Sequence, residues 1–343
     1  MYTLHDLMSG QRVKSTMVIL IMVFGMLITG NLPAYAEGTG SSQSNAPYRE
    51  NTLGKQSDSD LWRALKQGVP GLATTKRGED GVAINTEGIW WAQLRQSDGP
   101  LVRYGAIALV TVIGVLSLFF MLRGRLKIVG GRSNNKIARF SVAHRVVHWG
   151  IAVLFFLLAF TGLVLLFGRP LLIPVIGKAA FSVLATASMQ THNLFGPIFI
   201  LSLVTLFVTF IRGNFPTLTD IKWVLHAGGM FGGHASSGRY NAGEKAWFWV
   251  AILAGLTLSA SGILLSFPDA LGTRNLLQLS QLSHVIAAFV FIGFALGHIY
   301  LATIGTQGTL EGMIDGEVDE NWARTHHDHW FAEIKAEKGV NRP

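Results

Sequence analysis

Four histidines lie inside or at the ends of long uncharged apolar stretches: His148, His192, His284 and His298. An ionisable side chain held in lipid is costly and generally marks function. Taken alone, each can also be a polar residue hydrogen-bonded between helices. Two on one segment constrain more. His284 and His298 are 14 residues apart, which at about 100° per residue returns them to within about 40° of one helix face, roughly 21 Å apart along the axis. One helix thus offers two imidazoles on one stripe at two depths. Paired with imidazoles from facing helices, they fill both axial positions of a haem iron and leave no position open for oxygen or substrate. Such a site carries single electrons with little rearrangement. The chain has no cysteine, which excludes disulfides, iron–sulfur clusters, thiolate zinc and thioether-linked haem. Haem held here is therefore b-type.

The elements that position these histidines follow from composition. Of 343 residues, half are hydrophobic and only 14% are charged, too few charges to coat a water-facing surface. The basic balance, 28 Lys and Arg against 20 Asp and Glu, suits a membrane surface or nucleic acid. A helix crosses a bilayer with about 20 apolar residues. Five internal runs without a charge qualify: Tyr104–Leu122, Trp149–Phe167, Leu194–Ile211, Ala246–Phe267 and Val285–Ile304. Near the start, the stretch between Lys14 and Glu37 has a basic flank, an apolar centre and the ending Ala34-Tyr35-Ala36, the pattern of a secretory signal. An uncleaved anchor is the alternative, and both place residue 37 outside the cytoplasm.

Basic residues set the orientation. Arg123, Arg125, Lys127, Arg132, Lys136, Arg139 and Arg145 occur without an acid between residues 123 and 148, so that segment is expected in the cytoplasm. Alternation places the loop 212–245 and the tail after 304 on the same side. Loops 168–193 and 268–284 fall outside. His192 and His284 then share the outer depth, and His148 and His298 the inner one. The expected division is a signal peptide over 1–36, an exported segment over 37–100, an extra transmembrane helix over 101–123, a basic cytoplasmic segment over 124–145, a four-helix membrane bundle over 146–305 and a cytoplasmic tail over 306–343.

Other features weigh less. Gly150, Gly162, Gly196, Gly255, Gly262, Gly293 and Gly297 lie in or beside the runs and permit close approach of a helix or a flat macrocycle. His144 competes with His148 from one turn earlier, but its place beside the basic segment favours His148. His226 and His234 sit in a Gly-rich loop, where solvated histidine is the default. The tail cluster His326-His327-Asp328-His329-Trp330 could bind a metal, although a solvated or partner-facing role is favoured. Trp62–Gln67 and Trp91–Gln96 echo each other in the polar stretch, as two short amphipathic helices or as chance. Asn241 and Gly243 precede the Ala246–Phe267 run, where free N–H groups at a helix start could meet a quinone carbonyl or where Asn simply caps the helix.

The chain resembles the gamma subunit of respiratory formate dehydrogenase, a dihaem cytochrome b that anchors its enzyme in the membrane. The resemblance is carried over about residues 139–335 by Arg145-Val146-Val147-His148-Trp149, Thr191-His192-Asn193-Leu194-Phe195-Gly196, Arg239-Tyr240-Asn241-Ala242-Gly243-Glu244-Lys245, Ser283-His284, Gly297-His298-Ile299-Tyr300, and Glu311-Gly312-Met313-Ile314-Asp315-Gly316 through His326-His327. It implies an all-α integral membrane fold, a four-helix dihaem cytochrome b bundle preceded here by an extra helix and a signal peptide. It further implies that His192/His284 and His148/His298 ligate two b haems, and that Asn241, Gly243 and His298 adjoin a quinone site. About 138 residues in front of the match are absent from the compact members of that family.

What the resemblance implies functionally is a bacterial inner-membrane subunit with residues 37–100 in the periplasm. It accepts electrons there from an iron–sulfur beta subunit and a molybdenum or tungsten alpha subunit that oxidises formate. It passes them to ubiquinone or menaquinone on the cytoplasmic side, with no role for nucleic acid. The chain itself holds no formate chemistry. A dihaem cytochrome of a hydrogenase, a thiosulfate reductase or a related oxidoreductase is the alternative in the same class. A transporter would call for acids or broken helices within the spans, and the five runs contain no Asp or Glu. A purely structural anchor, its histidines only bridging helices, is the third reading.

Overall fold

The computed structural model describes residues 72–73, 82–83, 99–133, 135–231, 235–268 and 274–340. The expected signal peptide, the paired Trp motifs and His234 lie outside them. Within residues 26–105, a separate compact unit, strands β1 (Leu72–Ala73) and β2 (Val82–Ala83) pair antiparallel with Leu72 opposite Ala83.

The other described residues are mostly helical. Helix α1 spans Pro100–Arg123, α2 Val142–Phe210, α3 Leu218–Leu225, α4 Ala242–Ser266 and α5 Arg274–Tyr300, the last running on through a π-helical turn, Leu301–Gly305. Among the described residues, four helices are long and apolar enough to cross a membrane: α1, α2, α4, and α5 with its π turn. Large apolar side chains such as Phe160 and Leu201 are 60% and 70% exposed, as lipid-facing surfaces require.

Helix α2 has 69 residues, which at 1.5 Å per residue exceeds any bilayer. It does not run straight. Pro170 and Pro174 remove backbone donors, and Gly177 adopts φ 77°, ψ 167°, a conformation essentially reserved for glycine. The chain reverses there. Gly168 abuts the ring of Phe181, and Thr161 bonds His192, so residues 142–176 and 178–210 form two antiparallel arms. The expected runs Trp149–Phe167 and Leu194–Ile211 occupy one arm each.

Both arms pack with α4 and α5 around a core that includes Ile151, Phe199, Leu203, Phe210, Phe248, Ile252 and Phe291. Gly255 lets α4 approach the second arm so closely that an added Cβ would lie 2.8 Å from Leu203. Phe291, 4% exposed, fills the centre. Its ring lies 4.8 Å from that of Phe155, 5.6 Å from Trp247 and 6.3 Å from Phe199.

A small polar cap closes the end of the bundle where α4 begins and α5 ends. Strand β3 (Lys136–Ala138) pairs antiparallel with β4 (Glu317–Asp319), Ile137 opposite Val318. Helices α6 (Glu311–Ile314), α7 (Glu320–His326) and α8 (Asp328–Val340) flank it, around Ile128, Val318, Trp322, Trp330 and Phe331. Arg139 is buried between Phe140, Trp322 and Trp330, whose rings lie 4.9–5.2 Å from its guanidinium carbon. It donates to Glu244 Oε1 at 3.1 Å. The basic segment and the tail, far apart in sequence, are thus one unit clasped onto the start of α4.

Candidate functional site

The four membrane histidines meet in two pairs. At the end of the bundle marked by the Gly177 reversal, the second arm of α2 carries His192 and α5 carries His284, their ring centroids 6.1 Å apart. At the capped end, His148 on the first arm faces His298 on α5, again with centroids 6.1 Å apart. The stripe on α5 explains this. His284, Phe291 and His298 recur every seven residues, close to two helical turns, so both imidazoles face the bundle interior with the Phe291 ring between their levels.

The pair at the reversal is held from the neighbouring arms. Thr161 Oγ1 lies 2.9 Å from His192 Nδ1, and Ser261 Oγ lies 2.9 Å from His284 Nδ1. Glycine follows each hydroxyl residue. A Cβ at Gly162 would sit 3.4 Å from His192 Cε1, and one at Gly262 would sit 3.6 Å from His284 Cε1, so larger residues would press on the rings.

The pair at the capped end has a different setting. His298 stacks on Trp247, centroids 5.1 Å apart with planes 16° from parallel. His148 packs edge-on against Trp149, and its Nδ1 is buried with no hydrogen-bond partner.

This geometry fits an iron held between imidazoles. Two iron–nitrogen bonds near 2 Å, with about 1.1 Å from each nitrogen to its ring centre, place the centroids about 6 Å apart. Both pairs have that spacing, no acid competes within the spans, and small residues leave room beside the rings. Among the described residues, no cluster of three or more His, Cys, Asp or Glu side chains could hold a bare metal ion.

The other sequence candidates are placed as follows. Asn241 caps α4, its side chain accepting from the Glu244 N–H while the Glu244 carboxylate accepts from the Asn241 N–H, both at 2.9 Å. A Cβ at Gly243 would meet Asn241 Oδ1 and the Trp223 ring at 3.2 Å. One turn on, Trp247 leads from this helix start to His298. His144 is held at the mouth of α2, its Nδ1 2.7 Å from Ser141 Oγ, and it does not join His298. His226 donates to the Lys222 carbonyl at 2.7 Å on the surface.

His327 departs from the solvated role expected of the tail cluster. It is fully buried and donates from Nδ1 to the Gly238 carbonyl at 2.8 Å. The tail folds under the cap, and Trp322 and Trp330 supply enough apolar surface to enclose it. Burial, and after it the charge of Arg139, holds this imidazole well below the usual histidine range.

Sequence reasoning missed Thr161, Ser261, Trp247 and Phe291. The available signal was the pair of hydroxyl–glycine dipeptides, Thr161-Gly162 and Ser261-Gly262, each on a segment facing one of the histidines.

The family described as prokaryotic cytochrome b561 matches residues 139–316. The cytochrome b556(Fdn) subunit of the nitrate-inducible formate dehydrogenase of Escherichia coli (strain K12) is 31% identical over 207 residues, covering 58% of this chain and 92% of that subunit. The formate dehydrogenase cytochrome b556(fdo) subunit of the same strain is 27% identical over 209 residues, 60% of this chain and 96% of its own length. The formate dehydrogenase cytochrome b556 subunit of Haemophilus influenzae is 27% identical over 208 residues, 59% of this chain and 84% of its own.

Proposed function

We propose, for a chain that belongs to the prokaryotic cytochrome b561 family, that it carries electrons from a periplasmic formate dehydrogenase through two b haems to the quinone pool on the cytoplasmic side. Its homologues are formate dehydrogenase cytochrome b subunits. It is accordingly a multi-pass membrane cytochrome b of electron transfer, with haem b as its cofactor and a formate dehydrogenase complex as its partner.

The finer reading rests on one observation above the rest, two imidazole pairs with the same 6.1 Å separation at opposite ends of one bundle. His192 and His284 would hold the outer haem, His148 and His298 the inner one. Bound haem would supply one-electron carriage between these imidazoles. The chain's own residues do the rest. Phe155, Phe199, Trp247 and Phe291 exclude water between the two levels. The start of α4, with Asn241 and Gly243, receives the quinone, and Trp247 connects that site to His298.

Orientation follows the basic residues. The clasp of β3, β4 and the tail lies in the cytoplasm, while the Gly177 reversal faces the periplasm together with residues 37–100. The segment 1–36 is a signal peptide, and α1 is an additional span preceding the four-segment bundle of 146–305. The iron–sulfur beta subunit and the catalytic alpha subunit dock at the periplasmic end, beside His192 and His284. Formate oxidation releases its proton outside and quinone reduction takes protons from inside. Charge is therefore separated by electron movement alone.

The test uses the full chain in detergent. Two low-spin b-type components per chain are expected, both reducible by a quinol analogue. His284→Ala should remove one and His298→Ala the other. Full haem content in both variants would overturn the pairing. For the partner, the chain is isolated within its native complex; failure of formate to reduce the haems there would overturn the formate assignment.

A further inference from the structure

The two histidine pairs have equal spacing but unequal hydrogen bonding, and the inequality lies entirely on one side. Thr161 Oγ1 is 2.9 Å from the Leu157 carbonyl and 3.1 Å from that of Leu158. A hydroxyl has one proton and a carbonyl can only accept, so the Thr161 proton is engaged by its own helix. At 2.9 Å from His192 Nδ1 the same oxygen is left to accept, and the Leu158 carbonyl also faces this imidazole; both favour a proton on Nδ1, with the Nε2 lone pair free. Ser261 repeats the arrangement. Its hydroxyl lies 2.6 Å from the Thr257 carbonyl and 2.9 Å from His284 Nδ1. Both outer imidazoles are thus biased to one tautomer and one rotation by hydroxyls, and beside them the Leu158 and Leu258 carbonyls, on adjacent segments. The inner pair has no such support on His148, whose Nδ1 is buried without a partner, and His298 rests on the face of Trp247.

We propose that Thr161 and Ser261 are positioning residues that hold the outer haem at a lower reduction potential than the inner one, so that electrons run inward. The inference rests on the assignment of the two histidine pairs as haem ligands. An Nδ1–H···O bond pushes electron density toward Nε2 and makes the imidazole a stronger donor. Stronger axial donors favour the oxidised iron, and hydrogen bonding around the ligand is a recognised means of tuning potential. Two such bonds act on the outer site. A single electron moves from outer to inner site, no bond forms or breaks, and no proton crosses. The electron enters from a reduced iron–sulfur partner or, in a test, from dithionite.

The experiment is a redox titration of the full haem-loaded chain in detergent, followed at the b-type absorption band. The two components are assigned by their separate loss in His284→Ala and His298→Ala. Thr161→Val and Ser261→Ala, singly and together, should raise the potential of the outer component and leave the inner one in place. A tenfold change in the redox equilibrium appears as a shift of about 59 mV for one electron. Thr161→Ser and Ser261→Thr keep the hydroxyl and should titrate as the native chain does. An outer potential unmoved in the double variant overturns the proposal, as does an equal movement of both components. Loss of the outer component from both single variants overturns it too, because the hydroxyls would then be needed for binding rather than for potential. A native chain without two separable b-type components would instead remove the two-haem reading beneath it.

Discussion

Phe291→Ala tests how the bundle keeps its two histidine levels in register. The ring is 4% exposed and touches aromatic side chains from both arms of α2 and from α4. Truncation removes on the order of 100 Å³, and at about 24 cal/mol per Å³ of cavity the cost is about 2.4 kcal/mol if the neighbours hold their positions. The transfer contribution that enlarges such values in water-soluble proteins does not arise, since helices separated in a membrane remain in apolar surroundings. Phe291→Leu removes on the order of 25 Å³ and should cost about 0.6 kcal/mol. Thermal unfolding in detergent, followed by near-ultraviolet circular dichroism, should show the Ala variant melting roughly 5–10 °C below the native chain, with the Leu variant much closer. Because Phe291 lies seven residues from each histidine of α5, both pairs should loosen together, read, on the two-haem proposal, as equal loss of its two b-type components on heating. An Ala variant as stable as the native chain, or one in which a single component suffers, would refute this account of the interior.

Two further outcomes concern the capped end of the bundle. Lys245 is 7% exposed and donates to Asp220 at 2.8 and 3.0 Å; although burial raises the Asp220 pKa, the Lys245 and Thr217 bonds more than offset it and hold this carboxyl below its usual range. Asp220→Asn strands a buried ammonium and should cost about 3–5 kcal/mol, whereas pairing Asp220→Leu with Lys245→Met should recover most of that loss, as measured by melting of single and double variants. His327, neutral in the fold because burial depresses its pKa, gains a proton near pH 6.5 once unfolded. Its contribution is complete above about pH 6.5 and declines below that value by up to about 1.4 kcal/mol per pH unit. The difference in melting temperature between the native chain and His327→Gln should therefore shrink between about pH 7.5 and 5, and a constant difference would refute the buried neutral state.

The membrane segments were legible because an uncharged apolar run of about 20 residues matches the thickness of a bilayer and exceeds what a small water-soluble core can enclose, and the α5 stripe followed from helical periodicity. His148 could be preferred to His144 because the basic residues mark where lipid begins, and Ser141 does hold His144 at the helix mouth. The hydroxyl supports were not legible. Thr161 and Ser261 resemble any small polar residue that satisfies its hydrogen bond within a membrane helix, and only the folded arms reveal which imidazole each oxygen meets. The burial of His327 was hidden for a different reason. A polar tail reads as solvated until its Trp322 and Trp330 are known to close over Arg139, a contact between segments far apart in the sequence. The Gly177 reversal lay between two histidine-bearing runs whose separation was expected, but its backbone conformation was not visible in composition.

The clasp has a consequence for biosynthesis. Strand β3 emerges from the ribosome before any of the bundle's helices, whereas its partner β4 emerges after all of them, so the latch cannot shut until translation is nearly finished. During that interval the membrane segments are joined only by loops and lateral packing, so the bundle must hold together without its latch. Closing the latch last ties the first and last parts of this region together only when both are present.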